Sequence, residues 1–92
     1  MNESVREYLL YLTSQPNDVD AYGELGNVYM KMGRYPEAAQ NYYEAATRLI
    51  DAGYLNAVAS LMPVIQMHEP MLATLLNKKI ANATAGNQGN RR

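Results

Sequence analysis

Few side chains in this sequence have the types and spacing that chemistry requires. His68 is the single histidine and stands beside Glu69 and Pro70. With no cysteine and no second histidine in the chain, it lacks the company a metal site needs, and a surface or capping role at a helix junction fits it better. Asp20 and Glu24 fall one helical turn apart on the same face. Paired carboxylates do acid–base work when an apolar surround pushes their pKa values apart. On their own helix face nothing apolar lies around these two to raise a pKa, so a solvated face is expected. Lys78 and Lys79, with Arg91 and Arg92 beyond them, offer cations to an acidic partner or a favourable charge near a helix C-terminus. The glycines fall singly, and none builds a phosphate-cradling loop. No catalytic, cofactor-binding or metal-binding residue is therefore expected, and no cofactor.

The elements that must position these residues are helices. Val5, Tyr8, Leu9 and Leu12 recur at helical spacing and predict a first helix near 3–13, capped by Asn2 or by Ser4, with Glu7 at capping-box distance from Ser4. Pro16 ends it, because the residue before a proline is pushed out of helical geometry. A second helix near 18–32 is capped by Asn17 or Asp18. A third, near 36–52, opens on Pro36 and stops at Gly53. Its apolar sector is wide: Ala38, Tyr42, Ala45 and Leu49 make one edge, and Ala39, Tyr43, Ala46 and Ile50 make another. A stripe that broad needs partners on two sides. A fourth helix near 54–68 carries Leu55, Val58, Leu61, Met62 and Ile65, with Pro63 inside it and expected to bend it. A fifth, near 70–82, places Leu72, Leu75, Leu76 and Ile80 on its buried side. Residues 1–81 are thus expected to form one domain and residues 82–92 a flexible basic tail.

Composition sets outer limits. A chain of 92 residues suits one domain with a modest core. Eight lysines and arginines against nine acids leave a net charge of −1, which argues against whole-domain attraction to nucleic acid. The sign is uneven, since no acid follows Glu69. The longest apolar run, Ala57 to Ile65, is far too short to span a bilayer, so no membrane insertion is expected of this chain. The N-terminus lacks a signal-peptide layout. Phenylalanine and tryptophan are absent, leaving tyrosine to do all the aromatic packing in a thin helical layer whose ring tips reach water.

The middle of the chain is more specific. Tyr22, Leu25, Gly26 and Tyr29 share one helical stripe, the turn Gly33-Arg34-Tyr35-Pro36 follows, and Ala38, Tyr42 and Ala45 share a second stripe. Gly26 and Ala38 let two backbones approach, and Tyr42 fills the space between them. These residues resemble the tetratricopeptide repeat, whose pattern is aromatic-x2-Leu-Gly-x2-Tyr, then Ala-x3-aromatic. The Gly-x-Tyr-x-Glu-Ala turn matches as well, while Ile50 stands where the family's closing proline would fall. One family period of about 34 residues upstream, Ser4 aligns with Ala38, Tyr8 with Tyr42, and Pro16 with the closing proline. The first helix therefore resembles the second half of a preceding repeat. Moved forward so that Tyr22 lands on Tyr42, the motif also meets Ala45, Ala46, Leu49 and Gly53. The third helix either closes one hairpin and opens the next, or aligns as any Ala-rich helix would.

The resemblance implies an all-α fold of about five helices in antiparallel hairpin repeats, a helical solenoid with a C-terminal capping helix. It further implies a non-enzymatic interaction module or scaffold that binds a peptide or partner helix of another protein in a concave groove. Carried over by position, Asp20, Gly23, Asn27, Met30 and Lys31 face that groove, joined by Tyr43 and Thr47 if the third helix also faces it. One branch of the family grips chaperone C-terminal carboxylates with a lysine and an asparagine in this helix. Asn27 matches the asparagine, but Gly23 stands in the lysine's place, which weighs against such a clamp. The alternative expectation is an oligomerisation or assembly module pairing through the first helix, at Val5, Tyr8 and Leu12. That face would meet a second subunit in a homo-oligomer, or belong to a longer repeat protein with Met1 introduced by truncation.

Overall fold

The computed structural model describes residues 2–89, and their side chains as far as Ala85. Helices follow one another as α1 (Glu3–Ser14), α2 (Val19–Lys31), α3 (Tyr35–Asp51), α4 (Leu55–Val58), α5 (Met62–His68) and α6 (Pro70–Gly89). No strand occurs among the described residues. The fold is all-α and built of helical hairpins.

Local chemistry fixes where the helices begin and end. Asn2 caps α1, its side-chain oxygen accepting from the Ser4 and Val5 amides at 2.8 and 3.3 Å. Asp18 caps α2 by accepting from the Ala21 amide at 3.1 Å. Each side chain satisfies a donor that the first turn would otherwise leave unpaired. The terminators of α2 and α3 are copies of one device. Gly33 and Gly53 have φ of 73° and 89°, a region that side chains disfavour. The amides of Gly33 and Arg34 return to the Met30 and Tyr29 carbonyls at 3.0 and 2.9 Å, and those of Gly53 and Tyr54 to Ile50 and Leu49 at 3.0 and 2.8 Å. Both are Schellman closures.

The most extensive interface joins α2 to α3. Leu25 is fully buried there, and Ala38 and Ala45 present almost no surface to water. The Tyr42 ring lies against Gly26 so closely that a methyl group on Gly26 would overlap it. With the Ala38–Tyr42–Ala45 edge of α3 held to α2, the Ala39–Ala46–Ile50 edge is left for α5 and α6, both of which pack on α3. The wide apolar sector thus has its two partners. Val58, Ile65, Ala73 and Leu76 complete the core on that side. No buried side-chain nitrogen or oxygen among the described residues lacks a hydrogen-bond partner.

Four expectations are corrected. Pro63 breaks the fourth helix instead of bending it: α4 stops at Val58, a turn covers 59–61, and Pro63 stands in the first turn of α5. Proline has no amide hydrogen for the carbonyl four residues back, and its ring crowds that carbonyl. The last helix runs through 82–89, where the composition predicts a flexible tail. Ala81, Ala83 and Ala85 are strong helix formers, and Ala83 packs against the core. Arg91 and Arg92 lie outside the described residues. On α6, Leu75 points outward and Ala73 takes the buried position. On α1, Val5 and Leu12 are buried in the chain's own core, while Leu9 and Leu10 are exposed. The expected pairing face of α1 is therefore rotated: of Val5, Tyr8 and Leu12, only Tyr8 retains appreciable exposure.

Candidate protein-interaction surface

Because α1 rests chiefly on α2, one flank of each helix remains uncovered. Between these flanks lies a cleft of ≈ 610 Å³. Ser4, Glu7, Tyr8 and Tyr11 of α1 line one wall; Asp20, Ala21 and Glu24 of α2, with its cap Asp18, line the other. Two tyrosine rings and an alanine methyl supply the apolar part of this lining, and Glu7, Asp18, Asp20 and Glu24 supply carboxylates. No lysine or arginine belongs to the lining among the described residues.

The two walls are fastened at the turn between the helices. Tyr11 donates its hydroxyl hydrogen to the Asp18 carboxylate. That bond, followed by the Ala21 amide, holds the Asp18 carboxyl below its usual range, and the same bond raises the Tyr11 phenol. On the far side of the turn, the Pro16 carbonyl accepts from the Tyr22 hydroxyl at 2.9 Å and from Arg48 Nε at 3.1 Å. Arg48 also bonds Glu44 at 2.8 Å, and its guanidinium centre sits 4.4 Å from the Tyr22 ring centroid. One arginine of α3 thereby anchors the α1–α2 turn, which sets the angle at which the cleft opens.

Of the groove positions implied by the repeat resemblance, only Asp20 lines this cleft. Asn27 and Lys31 lie farther along α2 and are exposed. The Asn27 carbonyl oxygen already accepts the Tyr42 hydroxyl, which commits it to the hairpin; burial, and after it the Glu24 charge, raises the Tyr42 phenol. Met30 and Tyr43 are half-buried against the core. Tyr43 and Thr47 continue the edge of α3 that faces away from α2, so they do not join Asp20. Glu7 and Tyr11 belong to the cleft as well, and nothing in the sequence marks Tyr11 as part of a site. The four acids around Pro16 are the available signal, obscured because Glu7 and Asp18 also read as helix caps.

The remaining titratable candidates are elsewhere. His68 stacks on Tyr35, with ring centroids 5.0 Å apart and planes inclined by 20°, joining the end of α5 to the start of α3. Lys79 pairs with Asp51 at 2.8 Å, and Lys78 is exposed. No group of three histidines or acids converges on a metal-sized site among the described residues. No helix there is long and apolar enough to cross a membrane.

A hairpin locked by an aromatic ring over a glycine, with Gly33 closing its first helix at the turn, is the construction of a helical repeat. Residues 19–48 match the family model of the tetratricopeptide repeat, and that segment, α2 with most of α3, is one. Such repeats are in general non-enzymatic protein–protein interaction modules, so the partners it implies are proteins. No curated protein and no solved structure is significantly similar to the chain.

Proposed function

We propose that the chain receives a segment of another protein in the cleft between α1 and α2, with Asp20 and Glu24 as its principal contacts. The segment continues along the exposed face of α2 past Asn27 to Lys31. Met30, Tyr43 and Thr47, which are half-buried, serve the fold more than the partner. The observation that carries this reading is the cleft itself, lined by the apolar groups of Tyr8, Tyr11 and Ala21 together with four carboxylates. Docking sites combine aromatic with polar groups in this way. A helical-peptide library selected against the full chain supplies the probe. A selected peptide should perturb the amides of Tyr8, Tyr11, Ala21 and Glu24, and Asp20→Lys should weaken it about tenfold or more. Binders that leave those amides unmoved would overturn the assignment.

A second reading, assembly through α1, draws on Leu9 and Leu10, which are 42% and 61% exposed. Leu10→Glu should then lower the mass measured by light scattering. If the wild-type mass is already that of one chain at every concentration, this reading fails.

A further inference from the structure

At the end of the helix stack opposite the cleft, α6 exposes a second apolar surface. Met71 is 81% and Leu75 51% exposed. With Lys78 they stand at positions i, i+4 and i+7, a single stripe of α6. The side carrying Ala73, Leu76 and Ile80 packs on the core instead. The stripe is apolar and cationic, with no acid between Met71 and Lys78.

The cleft is its complement in three respects. Its lining has apolar groups from Tyr8, Tyr11 and Ala21, it carries the carboxylates of Glu7, Asp18, Asp20 and Glu24, and its length agrees. Ser4 to Tyr11 spans two helical turns, about 10 Å, and Met71 to Lys78 spans the same. The two surfaces cannot meet within one chain, because α6 packs on α3 and α5 with the stripe turned outward. We infer that the cleft of one chain takes up the Met71–Leu75–Lys78 stripe of a second copy. Leu75 enters between Tyr8 and Tyr11 while Lys78 meets Asp20 and Glu24. This rests on the cleft being a docking surface, as proposed above, and names its occupant. The contact joins two different patches, so each added copy presents a fresh cleft at one end and a fresh stripe at the other. Assembly is then head-to-tail, with no closure at the dimer.

Sedimentation velocity on the full chain over a wide concentration range tests this. The average mass should climb with concentration beyond that of two chains, and added salt should reduce it. A cleft variant, Glu24→Lys, and a stripe variant combining Leu75→Gln with Lys78→Gln change exposed residues only. Each alone should remain a single chain. Mixed in equal amounts they should give a complex of two chains and nothing larger, because one sound cleft and one sound stripe remain. A wild-type chain of constant mass overturns the inference, as does a mixture in which the variants ignore each other. If the mass is constant while a selected peptide still perturbs the cleft, the docking reading stands and only this occupant is lost. If neither chain nor peptide enters the cleft, both fall.

Discussion

The α2–α3 hairpin and the α5–α6 hairpin are closed by different means. In the first, small residues admit one tyrosine ring: Tyr42 lies over Gly26 and gives its hydroxyl hydrogen to Asn27. In the second, Ile65, Ala73 and Leu76 bury aliphatic surface, and no side-chain hydrogen bond crosses between the two helices among the described residues. A junction specified by shape depends on individual atoms. One specified by volume depends on how much apolar surface leaves water, and tolerates exchange among side chains of similar size.

Substitutions can break or sharpen that contrast. The largest loss is expected at Leu76, where Leu76→Ala should cost about 2–5 kcal/mol through lost burial and a residual cavity. Leu76→Met should cost less than about 1.5 kcal/mol. Urea unfolding measures both, and equal losses would mean that shape matters in the second hairpin too.

Next comes Gly26→Ala. Helix propensity favours alanine by about 1 kcal/mol, but the added methyl overlaps Tyr42, and overpacking costs about 1–3 kcal/mol. The overlap should win because the Tyr42 ring is itself hydrogen-bonded and buried. Gly23, nearly one turn earlier on α2, has open space within 4 Å of where a methyl group would stand, so Gly23→Ala should stabilise by about 0.5–1 kcal/mol. Opposite signs from two glycines of one helix are the sharpest mark of a shape-specified junction. A gain at both would remove it.

Arg48→Ala should cost about 1 kcal/mol by releasing the Pro16 carbonyl and the Tyr22 ring. The smallest effect concerns acid. Asp18 has its carboxyl depressed, first by the Tyr11 hydroxyl and then by the Ala21 amide. A group with a depressed folded pKa adds stability above its unfolded pKa, and loses it as pH falls through the folded one. Melting temperature should therefore drop on acidification below the ordinary carboxylate range, and Tyr11→Phe should flatten part of that drop. The bond is exposed, so solvent keeps the change small. An acid limb identical in the two proteins would show that the bond contributes nothing.

How much of this was legible depended on whether a residue type has one structural use. Gly26, Ala38 and Tyr42 do, and with Gly33 they announced the hairpin. The wide stripe of α3 announced a helix covered on both sides. Pro63 has two uses, since a proline in an apolar run either kinks a helix or starts a new one, and only the packing of Val58 and Ile65 decides. The outward turn of Leu75 and of Leu9 was hidden because helical spacing defines a stripe about 100° wide, whereas the partner helix selects its centre. The cleft was harder still. It joins Glu7 and Tyr11 to Asp20 and Glu24 across a turn whose angle is held by Arg48, far away in the chain.

The placement of α3 has a consequence for how the molecule comes apart. With one flank given to α2 and the other to α5 and α6, neither side can separate without exposing Ala39, Ala46 or their neighbours to water. The centre should therefore melt as a single cooperative unit. α1 shares no such wall, so its amides should exchange with solvent first, by an opening that leaves the remaining helices intact.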